Sequence, residues 1–446
     1  MSTESGSKSV VHNDTPCPFC ALGCDDLTVS RIEGDGDGPG LQVDDVTCPV
    51  ARQAFTANAR GLPACRVDGA DVEHREAIRE AARHLGEAER VFVVGAGVDI
   101  PGSRSVVRLA QRLGAILDTA SGERFQRESS SLLSTGAWRT TQAEIKSRAE
   151  RILLIGADPT AAAPRFFERC VPSSRPALGS RDRRVIHLGG IEPPESHKEL
   201  THLGIEHIPC AGERLAAAVG VLRTRLGGFR YSGSALDDDL DTRLGELAEE
   251  LQGEGYTAVV WAPDQLPEPY GDLLGEQIDL LVRDLNQSGR AGGLPLEGPA
   301  GSTLGQVTTW LTGMPLPVRF LQGQTVVRDP YHWPAQTFLS GEGLNPDRDA
   351  LLWVTPLGAE SVQSEPSSVD RARQVFLTSA AHAPKARGNV VIPVGTPGVH
   401  HAGAAFRNDE VVTLPLRRLW EPTDGEPVAS LQETLEAIEQ ELGPCE

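Results

Sequence analysis

Four cysteines near the start of the chain have the spacing of a metal or cluster site. They follow the pattern C-x2-C-x3-C-x23-C and comprise Cys17, Cys20, Cys24 and Cys48. Three thiolates on one loop, joined by a fourth that the fold returns to them, suit the corners of a cubane iron–sulfur cluster. Zinc is a competing interpretation, since four thiolates also form a closed tetrahedral site, although the usual second cysteine pair is missing. Four unligated thiols are the third alternative.

The remaining cysteines have no spacing that suggests chemistry. They are Cys65, Cys170, Cys210 and Cys445. Residues 1–10 are small and polar and do not form a secretory signal, so we expect the protein to stay in the cytoplasm. In that reducing compartment, clustered cysteines indicate metal ligation rather than disulfide bridges.

Other short motifs give weaker indications. Gly95 and Gly97 follow an apolar run, but the third glycine of a dinucleotide fingerprint would fall at Ile100, which argues against NAD. The two glycines then predict either a strand end that lines a pterin-like crevice or a tight turn. His400 and His401 are candidate pocket residues near the end of a predicted sheet, whereas the spacing of His187, His197, His202 and His207 matches no known site.

Composition excludes two classes of function. The chain has 42 basic and 62 acidic residues and a formal charge of −20, which argues against a nucleic-acid groove. Stretches of about 20 apolar residues, as a membrane-spanning helix requires, do not occur in the sequence. We therefore expect neither nucleic acid nor a membrane as a partner.

Short apolar runs alternate with helical patterns along much of the chain. Continuous apolar runs that end near Gly or Pro are typical of buried parallel strands, and they occur at 91–95, 151–156, 185–188, 257–261, 351–354, 374–377 and 389–393. Apolar residues at helical spacing occupy 76–85 and 106–113. This alternation predicts doubly wound α/β domains. A last amphipathic helix at 428–442 is expected to pack on its own domain, with a partner helix as the alternative.

The pattern suggests four segments. We predict a small cysteine domain at 1–60, one α/β domain at 61–226, a second at 242–420 with the option that the chain crosses between them, and a terminal helix at 421–446. Glycines, serines and aspartates at 227–241 predict an exposed connection between the α/β domains.

The cysteine run Cys17-Pro-Phe-Cys-Ala-Leu-Gly-Cys-Asp-Asp-Leu, followed by Cys48-Pro-Val-Ala, resembles the iron–sulfur segment of molybdopterin-dependent oxidoreductases. Within that superfamily it is most similar to the B subunit of formylmethanofuran dehydrogenase. Blocks at 117–121, 152–159, 285–290, 310–315 and 391–409 resemble that protein in the same order. The resemblance implies an iron–sulfur domain and two interleaved α/β domains that cradle a bis-pterin metal centre, with Gly95, Gly97 and Asp158 as candidate cofactor-binding residues.

One segment departs from this family. Its catalytic subunits carry, after Thr-Ala-Ser, a Cys that binds tungsten or molybdenum and a neighbouring His. Here Ser121 is followed by Gly122, Glu123 and Arg124, with neither Cys nor His. Glu123 or Ser121 would be an oxygen substitute for the soft thiolate. Arg290 matches the family's active-site arginine in part, and a surface or ion-pair role is its alternative.

A branch of the family accounts for this departure. The bacterial formyltransferase/hydrolase complex of tetrahydromethanopterin-linked C1 metabolism contains a B subunit descended from that of the dehydrogenase, and the complex performs no redox step. We therefore predict a degenerate B subunit that acts as a scaffold for catalytic subunits, with a possible 4Fe–4S cluster and without molybdopterin or tungstopterin. The alternatives are an active molybdenum or tungsten oxidoreductase that uses Glu123 or Ser121, and a separate iron–sulfur electron carrier.

The same resemblance leads to an expectation about partners. Larger relatives end in a barrel domain that closes over the pterin, whereas few residues follow position 409 here. We expect this chain to lack that C-terminal barrel, and other subunits of the complex to cover the crevice. The isolated chain should then expose an apolar patch.

Overall fold

The computed structural model describes residues 10–33, 39–44, 46–120, 129, 131–230, 233, 236–267, 271–296, 303–321, 325–339, 344–358, 373–422 and 428–444. The chain divides into two compact units. Unit 1 combines residues 1–122 with 298–446, and unit 2 comprises residues 123–297.

The described strands, in chain order, are β1 Val11–Thr15, β2 Leu27–Ile32, β3 Gly40–Asp44, β4 Cys65–Val67, β5 Ala70–Val72, β6 Arg90–Gly95, β7 Ile116–Thr119, β8 Ala149–Ile155, β9 Arg184–Leu188, β10 Glu206–Ile208, β11 Tyr256–Trp261, β12 Arg290–Pro295, β13 Val318–Phe320, β14 Val326–Arg328, β15 Asp349–Thr355, β16 Arg373–Ser379, β17 Val390–Val394, β18 Gly403–Phe406 and β19 Thr413–Leu416.

The described helices, in the same order, are α1 Pro49–Asn58, α2 His74–Gly86, α3 Ile100–Leu113, α4 Gln142–Arg148, α5 Pro159–Ala162, α6 Phe166–Cys170, α7 Glu195–Glu199, α8 Gly212–Leu226, α9 Asp238–Leu251, α10 Gly271–Leu285, α11 Thr303–Thr312, α12 Ala335–Leu339 and α13 Leu431–Glu441. Short 3-10 turns lie at Thr201–Leu203 and Pro263–Gln265.

Unit 2 is a doubly wound parallel sheet. Its described strands lie in the order β10-β9-β8-β11-β12, and every neighbouring pair is parallel. Every residue of β8 is buried, because helices cover both faces of the sheet. The order reverses between β8 and β11, the point at which such sheets form a crevice at the carboxyl ends of their strands.

Unit 1 contains a larger mixed sheet. Its described strands lie in the order β14-β13-β7-β6-β15-β16-β17-β4-β5. The run from β7 to β17 is parallel, while β13–β14 and β4–β5 add antiparallel edges. Trp353, at the centre of β15, is fully buried in a core with Phe92 and Phe338.

The cysteine segment belongs to unit 1. Its strands β1, β2 and β3 form an antiparallel sheet that precedes α1. Arg31 of β2 donates from Nε to Leu419 O at 2.7 Å, and Arg417 donates from Nη1 to Asn13 O at 3.1 Å. These bonds attach the segment to the last part of the chain.

The terminal helix packs on its own unit, as the sequence predicted. Leu431, Leu435 and Ile438 of α13 are buried, and the helix contacts α2 and α3. A capping box begins the helix: Glu433 N–H donates to Ser430 Oγ, while Ser430 N–H donates to the Glu433 carboxylate.

The predicted strands are confirmed. All seven apolar runs coincide with strands β6, β8, β9, β11, β15, β16 and β17, and every pair formed among them is parallel. The predicted helices at 76–85 and 106–113 lie within α2 and α3. The mixed α/β class with parallel sheets is therefore correct.

The compact units of the structure are delimited differently from the predicted domains. The segments 61–226 and 242–420 separate β8 from β11, yet these two strands pair directly in unit 2, and the chain runs from unit 1 into unit 2 and back, the crossing that the sequence left as an option. The α8 helix ends at Leu226 and α9 begins at Asp238, both within unit 2, and Asp237 caps α9 by accepting a hydrogen bond from Leu240 N–H at 2.9 Å. The aspartates that indicated a loop lie in the first turn of α9, where negative charge stabilises a helix.

None of the helices in the described ranges combines the length and the apolar character that crossing a membrane requires.

An ion pair between the buried Asp349 and the exposed Arg90, at the start of the unit 1 sheet, gives a stability prediction. Asp349 is 1% exposed and accepts two bonds from Arg90, at 3.0 and 2.6 Å, and one from Asn345 N–H at 2.6 Å. We expect Asp349→Ala to lower the free energy of unfolding of unit 1 by about 2–4 kcal/mol, measured by urea denaturation.

The matched control is Glu89→Ala. The ion pair of Glu89 with Arg348 is exposed on both sides, so its loss should change the same free energy by less than about 0.5 kcal/mol. Equal effects of the two substitutions would contradict the prediction.

Candidate functional site

Three of the predicted cysteine ligands lie on one tight loop between β1 and β2. Cys17 N–H donates to Cys24 O at 2.8 Å, and Gly23 N–H donates to Cys20 O at 3.3 Å. Gly23 has φ +53°, a left-handed conformation that glycine adopts without strain. These bonds close the loop and bring its two ends together.

The fourth cysteine lies at the start of α1. Cys48 is the N-cap of this helix, and its carbonyl accepts a hydrogen bond from Arg52 N–H at 3.2 Å. Phe55 of α1 packs edge-to-face on Phe19 of the cysteine loop, with ring centroids 5.1 Å apart. This contact holds the helix against the loop that carries the other three thiols.

The four thiols influence one another electrostatically. Cys17, Cys24 and Cys48 are buried, and Cys20 is half-buried. Burial raises the pKa of Cys17 well above its ordinary value, and the charges of Cys20, Cys24 and Cys48 raise it further, while a bond from Phe19 N–H lowers it. None of the four forms a disulfide. The structure therefore places Cys17 within electrostatic range of the other three thiols.

The arrangement differs from a cage for a single ion. Within the described residues, no group of three or more His, Cys, Asp or Glu side chains is arranged to hold a metal ion. Thiolates bound to one zinc ion lie about 2.3 Å from it, and hence about 3.8 Å from one another. A cubane cluster separates its thiolates further, because each one binds a different iron. Four thiol donors are chemically suited to a cubane cluster, in which each thiolate binds a different iron.

Most of the predicted catalytic residues lie outside the described residues, whereas Arg290 lies within them. Ser121, Gly122, Glu123 and Arg124 lie outside the described residues. Arg290 begins β12 and so lies at the amino ends of the unit 2 strands, whereas ligands of such sheets collect at the carboxyl ends. Its place in the sheet therefore does not support the active-site role that the resemblance implied.

The predicted cofactor-binding glycines are explained by packing. A Cβ on Gly95 would lie 2.5 Å from Leu304 Cδ2, and one on Gly97 would lie 2.9 Å from Leu357 Cβ. Neighbouring leucines therefore fill the space that a side chain would need. Asp158 caps α5, accepting from Thr160 N–H at 2.9 Å and from Ser196 Oγ of α7 at 2.6 Å, so its carboxylate already has partners within unit 2.

The predicted histidine pair has two different surroundings. His400 is buried, accepts a bond from Thr396 N–H at Nδ1 and donates from Nε2 to Arg60 O at 2.8 Å. Burial lowers the pKa of His400 to about 4, so the ring is a neutral structural link. The ring nitrogens of His401 lie 3.0 Å from Ala402 O and 3.1 Å from Gly395 O, both on its own loop.

A buried carboxylate accompanies His401. Asp99 caps α3 through a bond from Gly102 N–H at 3.1 Å, and its Oδ2 has no hydrogen-bond partner among the described residues. Burial raises the pKa of Asp99, and the charge of His401 lowers it. The pair is a buried carboxyl group beside a histidine at the start of α3, and sequence spacing gave no sign of it.

Three histidines of unit 2 form a cluster that the sequence analysis missed. His187 of β9 and His207 of β10 are register partners, with rings 5.5 Å apart, and the ring of His197 lies 5.1 Å from that of His187. His187 and His207 each donate from Nε2 to a carbonyl, those of Gly156 and Gly189. Both histidines occupy the penultimate position of their strands, and this shared position could have indicated the cluster from the sequence.

The chain is similar to components of known complexes. Over 342 residues it is 31% identical to the Fhc B subunit of the formyltransferase/hydrolase complex of Methylorubrum extorquens, spanning 75% of this chain and 85% of the relative. It is also 24% identical over 420 residues to the B subunit of tungsten-containing formylmethanofuran dehydrogenase 2 of Methanocaldococcus jannaschii, spanning 92% and 94%. No family model matches the chain.

Solved structures have the same fold. A chain of the formyltransferase/hydrolase complex (FhcABCD) from Methylorubrum extorquens, crystallised with methylofuran, aligns with a TM-score of 0.69 and 26% identity, covering 85% of this chain and 98% of that one. Acetylene hydratase from Pelobacter acetylenicus aligns with a TM-score of 0.53 and 11% identity over 97% of this chain and 69% of its own, a likeness of fold alone.

The histidine cluster gives a prediction about acid stability. Burial lowers the pKa of His187 to about 4, below its ordinary 6.5. Because the folded pKa is the lower one, the contribution of the neutral ring is complete above pH 6.5 and is lost as the pH falls towards 4. Between pH 7 and pH 5, this histidine should lower the free energy of unfolding by about 2 kcal/mol. We expect His187→Gln to lack that contribution, so its free energy of unfolding should fall by about 2 kcal/mol less over the same pH range.

Urea denaturation of the full chain at both pH values measures this difference. His202→Gln, at an exposed histidine outside the cluster, is the control and should leave the pH dependence unchanged. An unaltered pH dependence in His187→Gln would refute the prediction.

Proposed function

The chain belongs to the family of formyltransferase/hydrolase complex B subunits, and we propose that it is a non-redox component that scaffolds the catalytic subunits of such a complex in C1 metabolism. The observation that carries this proposal is the 31% identity over 85% of the Methylorubrum extorquens relative, together with the shared fold. The family resemblance inferred from the cysteine run is thereby confirmed.

The sequence after β7 supports the absence of redox catalysis. Thr119 and Ala120 lead into Ser121, Gly122 and Glu123, and no cysteine follows within this segment. A molybdenum or tungsten centre of this family relies on a soft thiolate there, and an oxygen ligand would alter its potential and geometry. An active dehydrogenase is less supported, because the relatives with that name have lower identity.

We propose a 4Fe–4S cluster as the group held by Cys17, Cys20, Cys24 and Cys48. The support is a donor set of four thiols outside any disulfide, three of them buried, with a backbone N–H directed at one sulfur. Hydrogen bonds to sulfur are among the features that set the potential of such clusters. When bound, the cluster would supply one-electron transfer and a covalent link between the cysteine loop and α1.

An exposed apolar surface in unit 1 supports the scaffold role. It comprises Trp310 at 64%, Leu311 at 53% and Met314 at 41% exposure, at the end of α11 and just beyond it, and we call it the α11 patch. Neighbouring exposed apolar side chains mark interaction surfaces on soluble proteins. We propose that another member of the complex covers the α11 patch.

The absence of a closing barrel is part of the same proposal. This chain covers 98% of the matched chain in the FhcABCD structure, so that chain has no further large domain outside the aligned region. We infer the same organisation here, with other polypeptides covering the ends of the sheets.

Metal analysis tests the cofactor proposal. After reconstitution with iron and sulfide, the full chain should hold about four iron atoms and no molybdenum or tungsten. Cys17→Ser should lose most of this iron, because it removes a buried ligand. Cys65→Ser, at a buried free cysteine outside the motif, should retain it.

Two results would contradict the cofactor proposal. Zinc in place of iron in protein purified from its native host would show a single-ion site. Near-stoichiometric molybdenum or tungsten with pterin would instead restore the oxidoreductase alternative.

Co-purification tests the scaffold proposal. Co-expressed with formyltransferase and hydrolase subunits, the chain should elute with them in one complex. Trp310→Asp should weaken this association at least tenfold, because aromatic residues at interface centres carry much of the binding energy. Val411→Asp, at another exposed apolar residue of unit 1, is the control.

The two parts of this proposal fail separately. A monodisperse monomer that ignores the other subunits would refute the scaffold role. A complex that tolerates Trp310→Asp would refute only the position of the interface.

A further inference from the structure

We propose that a cavity at the amino-terminal edge of the unit 2 sheet binds a multivalent oxyanion through Arg148 and Arg290. The cavity has a volume of about 650 Å³, within the range of small-molecule sites. Its lining comes from the residues that precede or begin β8, β11 and β12, together with the turn at 178–180. It lies at the opposite edge of the sheet from Asp158 and the histidine cluster.

Strand register places the two arginines on either side of one tyrosine. Tyr256, the first residue of β11, is the register partner of Ala149 on β8 and of Arg290 on β12. Arg148 ends α4 and immediately precedes β8, and Arg290 begins β12, so the two arginines belong to the starts of strands two steps apart, roughly 10 Å across the sheet. The Tyr256 hydroxyl donates to Thr140 Oγ1 at 2.7 Å, which fixes the orientation of the ring.

The walls of the cavity are held by internal hydrogen bonds. Glu150 accepts from Ser180 Oγ at 2.9 Å and from Arg181 N–H at 3.1 Å, which fixes the turn at 178–180. Burial would raise the pKa of Glu150, but these bonds outweigh burial and lower it, so this carboxylate stays ionised and occupied. Arg151 donates to the carbonyls of Leu251 and Glu254 and thereby holds the segment before β11.

The third wall is fixed in the same way. Asn286 accepts from Ala291 N–H at 3.0 Å and donates to the carbonyls of Val282 and Ala291 at 2.8 and 2.9 Å. These three hydrogen bonds stabilise the turn from α10 into β12 and thereby fix the backbone position of Arg290. A pre-formed frame loses little conformational freedom when a ligand binds.

Charge then decides what the cavity accepts. Arg148 and Arg290 are exposed, and among the described residues neither has an ion-pair partner, although acidic residues outnumber basic ones by 62 to 42. Of the two lining carboxylates, Glu150 is occupied by the turn, and Glu254 is exposed at the rim. The two guanidinium groups therefore face a cavity whose buried carboxylate is ionised and already held by the hydrogen bonds of the turn.

Guanidinium groups favour one kind of ligand. Each presents parallel N–H donors that match the oxygens of a carboxylate or phosphate. Two arginines separated by one strand suit an anion with at least two negative charges, and the lining hydroxyl of Ser288 adds a further donor. The expected ligand is therefore a multivalent oxyanion. Either a phosphate compound or a polycarboxylate would provide this group.

Calorimetric titration of the full chain, with whatever subunits co-elute, tests the proposal. The probes are citrate for the polycarboxylate source, inorganic phosphate for the phosphate source, and acetate as the monovalent control. We expect citrate, phosphate or both to bind with a dissociation constant below about 1 mM, more tightly than acetate and more weakly as salt increases. The probe that binds more tightly identifies the source.

Charge-matched variants locate the binding. Arg148→Gln/Arg290→Gln should weaken it at least tenfold, whereas Arg79→Gln/Arg104→Gln, which removes the same charge from exposed positions in unit 1, should change it less than twofold. If the first double variant unfolds, the single variant Arg148→Gln, at an exposed side chain, replaces it. No binding of either multivalent probe, or equal weakening by both double variants, would overturn the proposal.

Discussion

Parallel pairing of strands that are buried on both faces is the constraint on which the rest of this structure depends. Every residue of β8 and of β15 is buried, so both faces of each sheet must be covered by other elements. A functional side chain in the middle of such a strand would not be accessible to a ligand. Functional groups are thereby confined to strand ends and to the loops that follow them. His187 and Asp158 lie at one edge of the unit 2 sheet, and Arg290 lies at the other.

The same constraint explains which parts of the fold the sequence predicts. A strand buried on both faces leaves a continuous apolar run, and that local signal located all seven predicted strands. Which runs become neighbours is a non-local property, because β8, β11 and β15 are all similarly apolar and any of them would pair well by composition. The connection at 227–241 illustrates the limit: its aspartates begin α9, and only the pairing of β11 with β8 shows that the chain stays within unit 2.

The residues of the candidate site also separate into those predictable from local sequence and those that depend on tertiary contacts. The cysteine motif was predictable because three of its residues share one loop and the fourth begins a helix, so little tertiary information is needed. The pairing of His187 with His207 was not predicted, because it depends on the register of two strands. Gly95 illustrates a related limit: sequence shows that a side chain is missing, but only packing shows that Leu304 fills the space.

The cysteine segment has a structural role that does not depend on redox chemistry. Cys48 begins α1, and the other end of that helix holds the loop after β17: Thr396 Oγ1 donates to Asn58 Oδ1 at 3.2 Å, and His400 donates to Arg60 O at 2.8 Å. The side chains of Thr396, Asn58 and His400 are buried, so breaking the connection would leave buried polar groups unsatisfied, at a cost of about 1–3 kcal/mol each. A chain without the metal-binding cysteine after Ser121 therefore still needs α1 in place. A cluster that joins the cysteine loop to the start of α1 would stabilise the unit 1 sheet edge even if no electron passed through it.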